Sequence, residues 1–147
     1  MRDHVDQCRY LKLRELSEPE DNSLRLVVEE MHVRDEAEEL VVGESSFGLT
    51  HRIEHTDACR VFELTWDMYI AYSVLNESYA RADDGEIFTG RRLRLYSKSK
   101  FLEYVRSETW ADDHYPGPPK HVAISCESQI VNVISVAEPQ VRLIKPG

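Results

Sequence analysis

Four consecutive residues, Asn76, Glu77, Ser78 and Tyr79, place an amide, a carboxylate, a hydroxyl and a phenol side by side. A second group of similar chemistry, Tyr96, Ser97 and Lys98, closes another stretch of alternating apolar residues. If the two segments are neighbouring strand ends, Asn76, Glu77, Tyr79, Tyr96 and Lys98, with His121 beside them, form a polar pocket floored by Tyr69 or Tyr72. Such a pocket could orient a small ligand or an anion, with hydrolysis as an outlying chemistry. The competing reading is purely local: Asn76 and Ser78 bond their own backbone at a turn, Glu77 pairs with Lys98 or Arg94, and Tyr79 packs with a wet tip.

Two other clusters have reactive residue types but unfavourable spacing. His51, His55 and Cys59 recur every four residues, but their surroundings read as a strand entering a turn. On a strand, residues four apart lie about 13 Å from each other, too far to share an ion held by bonds of about 2 to 2.3 Å, so no metal site is expected. Asp112, Asp113 and His114 sit in a proline-rich loop. Adjacent loop residues point apart, so solvated charge is expected there rather than an acid/base pair. The nucleophile-elbow, phosphate-loop, dinucleotide and H-E-x-x-H signatures are missing from the sequence, and no cofactor is implied. Their absence removes the commonest large enzyme classes but not every enzyme, and a non-enzymatic role is the leading expectation.

Charge points the same way. The chain has 27 Asp and Glu against 18 Lys and Arg, net −9. Residues 1–58 contain fifteen acids and seven bases, net −8, and the remainder twelve and eleven, net −1. This balance disfavours nucleic acid, although Arg91, Arg92, Arg94, Lys98, Lys100 and Arg106 form a local basic strip. An acidic surface of Glu29, Glu30, Asp35, Glu36, Glu38 and Glu39 is suited to meeting a basic protein partner, with charge raising the encounter rate. A subunit that functions only as a homo-oligomer is a third reading.

The elements that must position these groups centre on Arg60 to Asn76. Phe62, Leu64, Trp66, Met68, Ile70, Tyr72 and Val74 are apolar at period two, a strand pattern. A straight strand of that length would span about 50 Å, so a bend or bulge near Asp67 is expected, letting one element serve two parts of a curled sheet. Strands are also expected over 7–16, 24–33, 47–53, 91–96, 121–126, 129–135 and 141–144, and a helix over 98–109 capped by Ser97 or Ser99. The acid-rich segment 34–44 reads as a helical turn or a loop. The whole is expected to be one α+β domain over 1–147: a mainly antiparallel, strongly bent or partly closed sheet of six to eight strands with one short helix packed on it. The charged start and the lack of a long apolar run predict a cytoplasmic protein with no membrane segment. The three cysteines, Cys8, Cys59 and Cys126, are expected to be buried thiols.

The runs YIAYSVLNESYA (69–80), RLYSKSKFLEYV (94–105) and HVAISCESQIVNVIS (121–135) resemble a type of small, uncharacterised bacterial α+β protein, some of them associated with toxin systems as immunity proteins. That resemblance implies binding and neutralising a partner protein without catalysis.

Overall fold

A computed structural model describes residues 1–54 and 56–147, the side chains of residues 34–40, 42, 47 and 49–52 excepted. The central apolar run does break at the expected place. Val61–Trp66 forms one strand and Ala71–Asn76 another, and the four residues between them carry the chain from one sheet to a second.

In chain order the elements are helix α1 (Arg2–Gln7) and strands β1 (Tyr10–Ser17), β2 (Leu24–Val42), β3 (Ser45–Glu54), β4 (Val61–Trp66) and β5 (Ala71–Asn76). A 3-10 turn (Glu77–Tyr79) follows, then β6 (Ile87–Thr89), β7 (Leu93–Lys98), helix α2 (Lys100–Glu108), β8 (Lys120–Ser125), β9 (Gln129–Ser135) and β10 (Gln140–Lys145). The first sheet runs β1-β2-β4-β10, with β3 on the outer half of β2, and the second runs β5-β9-β8-β7-β6. Every pairing between these strands is antiparallel. The fold is thus α+β and mostly β, as expected. It has ten strands among the described residues, arranged as two open sheets rather than one partly closed sheet.

The period-two pattern supplies the core. Leu24, Leu26 and Val28 of β2 stand opposite Trp66, Leu64 and Phe62 of β4. They meet Val122 and Ile124 of β8 and Val131 and Val133 of β9 in a single buried cluster joined by Val5 of α1. Burying this apolar surface drives the two layers together. The alternate residues of the first sheet carry its ion pairs: Arg25 to Glu63 at 2.6 Å, Arg142 to Glu63 at 3.0 Å, and Arg14 with Glu29.

Segment 34–44 differs from its expected turn or loop. Most of it continues β2, which turns at Gly43, in the left-handed region at φ +62°, and returns as β3. Cross-strand pairing with β3 overrides the low strand propensity of the acids. Helix α1 was not expected. Six residues are too few to show a helical period, and this helix is held by tertiary contacts instead. Its Asp6 carboxylate accepts the backbone N–H groups of Arg91, Arg92 and Leu93 at 2.6, 2.8 and 2.9 Å. Helix α2 starts where Ser99 Oγ accepts Leu102 N–H at 3.1 Å. Among the described residues no helix is long and apolar enough to cross a membrane.

Candidate binding sites

Part of the sequence-predicted pocket comes together on the outer face of the second sheet. Glu77, Tyr96 and His121 line one cleft of about 440 Å³, floored by Arg94, Ser125, Ile130 and Asn132 and overhung by the 77–86 segment. Asn76 lines a shallower recess beside it, with its side chain accepting Ser78 N–H at 2.9 Å, the local turn bond. Tyr79 is 79% exposed, and Lys98 is exposed and is not among the residues lining the cleft. Tyr69 and Tyr72 do not floor this cleft. They meet edge to face at 4.8 Å and donate their hydroxyls to Glu18 at 2.6 and 3.0 Å.

His121 is the anchor of the cleft. It is buried and stacked on Tyr96, with 4.2 Å between centroids and 11° between planes, and the edge of Phe101 approaches it. Asn132 Oδ1, which can only accept, faces Nε2 at 2.8 Å, so the ring proton sits on Nε2. In the neutral ring Nδ1 then accepts from Ser99 Oγ, already the helix cap, at 2.7 Å. Burial pushes the imidazole below its ordinary pKa of 6.5, against the smaller opposing effects of Asn132 and Glu86. Ser99 is 1% exposed and does not line the cleft, so this serine, histidine and asparagine fasten α2 to the sheet rather than present a nucleophile.

A larger, mostly apolar groove of about 630 Å³ lies where the chain crosses between sheets. Its walls come from the end of β4 and the crossing (Trp66 to Ile70), from the loop after α2 (Trp110, Ala111, Tyr115, Pro116), and from the β9–β10 connection (Ser135 to Glu138) with Gln140. Trp110 is 100% exposed, Tyr115 82% and Met68 63%. The loop that displays Trp110 is fixed by its own polar groups. Thr109 Oγ1 donates to Val105 O at 2.6 Å and accepts Ala111 N–H at 3.2 Å. Asp112 accepts His114 and Tyr115 N–H at 2.8 and 2.9 Å, which holds its carboxyl below its usual range, and Asp113 pairs with Arg106 at 3.0 Å. The crossing is pinned too: Tyr69 N–H donates to Asn22 O, Ile70 N–H to Ile134 O, and Ser135 Oγ to Met68 O. Asp67 and Glu138 are the charged residues of the lining among the described residues, and Glu138 is paired with Arg2 at 2.6 Å.

The acidic surface read from the sequence is placed differently. Glu29 is 3% exposed and paired with Arg14. Glu30 receives the Arg60 guanidinium at 2.9 and 3.1 Å and the Arg60 backbone N–H at 3.2 Å. Burial opposes ionisation of Glu30, but the Arg60 bonds outweigh it and lower the carboxyl pKa. Both acids serve the fold instead of facing a partner. The side chains of Asp35, Glu36, Glu38 and Glu39 lie outside the described residues, as do that of His51 and the whole of His55. All three cysteines are buried, and burial raises Cys8 to about 11 and Cys126 to about 12. Sequence reading missed Trp110, Tyr115 and Met68 as site residues. The one available signal was a tryptophan set among Asp, His and Pro, where a buried role would have apolar neighbours. No family model, curated protein or solved structure matches this chain.

Proposed function

We propose that this chain is a non-catalytic interaction domain whose groove at Trp110 takes up a basic, apolar-flanked segment of a partner protein. One observation carries the reading: an aromatic-walled groove of about 630 Å³ has in Asp67 a carboxylate with no ion pair and no lining Lys or Arg among the described residues, and its rim tryptophan is fully exposed. An exposed patch of large apolar side chains loses free energy to water and gains it on contact, so such patches mark interaction sites. Aromatic faces with nearby carboxylates favour Lys or Arg, a cation over a ring being worth roughly 0.5–2 kcal/mol depending on desolvation. The net charge of −9 steers a basic partner in the same direction. The immunity-like role implied by the sequence resemblance is one form of this function, a basic partner neutralised by filling the groove.

The test is a fluorescence titration of the intact protein with heptapeptides carrying Lys or Arg between Leu and Phe, beside counterparts in which Glu replaces the basic residue. The expected result is saturable change in tryptophan emission with the basic set alone, weakened by added salt. Trp110→Ala and Tyr115→Ala should each weaken binding about tenfold or more without shifting the unfolding midpoint, because both side chains lie at the surface. Equal binding of the acidic peptides, or unaltered affinity in Trp110→Ala, would overturn the proposal.

A further inference from the structure

We infer that the cleft on the outer face of the second sheet is a separate small-molecule site for a zwitterion of the free amino-acid class. The cleft, about 440 Å³, falls within the usual range of roughly 300–1,000 Å³ for small-ligand pockets. Charges of both signs line it, and among the described residues Arg94 on the floor and Glu77 and Arg81 on the overhang have no ion pair. Arg94, on the floor, ties Nε to Arg91 O at 3.0 Å and lies over the Phe88 ring, leaving the rest of its guanidinium with no ion pair among the described residues. Glu77, on the overhang, likewise has no ion pair among the described residues, although both side chains line the same cavity.

Two neutral groups on the floor are also unspent. Asn132 uses its carbonyl oxygen for His121, which leaves its amide N–H groups unpartnered among the described residues. The Ser125 hydroxyl, on a residue only 6% exposed, is in the same position. Both groups open to the cleft, where an acceptor supplied from outside can take their donors. Arg94, Asn132 and Ser125 together form a donor set suited to a carboxylate. Glu77 supplies the counter-charge for an ammonium. Of the other charges of the overhang, Asp83 pairs with Lys100 at 2.7 Å and Glu86 accepts the Lys100 backbone N–H at 3.0 Å, while Arg81, which has no ion pair among the described residues, adds a second cation to the lining for the carboxylate end. Between the two charged ends, Ile130 and Phe101 offer an apolar wall for an aliphatic or aromatic side chain.

The experiment is amide-resolved NMR titration of the full chain with L-leucine and L-phenylalanine, beside N-acetyl-L-leucine, which lacks the ammonium, and L-leucinamide, which lacks the carboxylate. Saturable shifts are expected around Tyr96, His121 and Asn132 with the free amino acids, and affinity about tenfold or more weaker for both blocked forms. Arg94→Gln should abolish the preference for leucine over leucinamide, and Glu77→Gln the preference over the N-acetyl form. Glu77 is exposed, so its variant keeps the test sound if Arg94→Gln perturbs the fold. No saturable shift with either free amino acid would overturn the inference. So would equal binding of N-acetyl-L-leucine, the outcome for a plain carboxylate site. Loss of Trp110 from the groove, which shares no lining residue with this cleft, should leave all of these shifts unchanged, which separates failure here from failure of the interaction reading.

Discussion

At His121 both ring nitrogens are engaged in a fixed order, with Ser99 donating to Nδ1 and Nε2 donating to Asn132. Protonating Nδ1 would turn it into a donor facing a serine that already accepts Leu102 N–H as a helix cap. The folded state therefore binds this proton less readily than the unfolded state, and burial lowers the imidazole pKa from 6.5. The sign follows from the linkage relation: the stability is fully present above the unfolded value and is lost as pH falls below it toward the folded one. Denaturant midpoints of the wild type should thus drop as pH falls below 6.5, and His121→Gln should show a shallower drop while starting lower. Parallel profiles would assign the acid sensitivity elsewhere. His121 is also where residue-level reading worked best and least. Its residue type made it a candidate, yet its partners come from positions 22 residues before and 11 after it, which no local pattern links.

Among the elements, α1 shows how one side chain can hold a helix too short to stand alone. Burial pushes the Asp6 carboxyl up, but the three backbone N–H groups of residues 91–93 outweigh it and leave it below its ordinary 3.8. That contribution is intact above pH 3.8 and is lost as pH falls through the lowered value. Asp6→Ala should cost about 1–3 kcal/mol by stranding those donors. Gly90 closes the same turn at φ +90°, where an added Cβ would lie 2.1 Å from Leu93 O, so Gly90→Ala should be destabilising by a similar amount, about 1–3 kcal/mol. Chemical denaturation of each variant checks both, and a double variant that loses far less than the sum would show that the two changes break one latch. The break at Asp67 is legible in the sequence because an apolar alternation that long exceeds the usual strand, although β2, at 19 residues, shows that length alone does not force a break. The Ser99 cap is legible because serine precedes an amphipathic run. The acid-rich half of β2 is not, since its strand state comes from pairing with β3 and composition argues the other way.

For the whole molecule, inward-facing residues of both sheets share one core, so truncating Phe62, which is fully buried, should cost about 3–5 kcal/mol as in other cores. Which strands share a sheet was not readable, because chain neighbours β4 and β5 belong to different layers while β4 and β10 pair across the length of the chain. The groove was hidden for the same reason: its walls come from residues 65–70, 110–116 and 135–140, distant in sequence and joined only by topology. The crossing at Asp67–Ile70 and the β9–β10 connection at 136–139 both join the two layers covalently, and both wall that groove. A molecule lodged there acts as a rivet, since the backbone it touches can open only if one layer shears from the other. Occupancy should therefore slow amide exchange in β4 and β5 together, though the two strands share no hydrogen bond, and the groove becomes the place where grip on a partner is converted into resistance of the entire fold to unfolding.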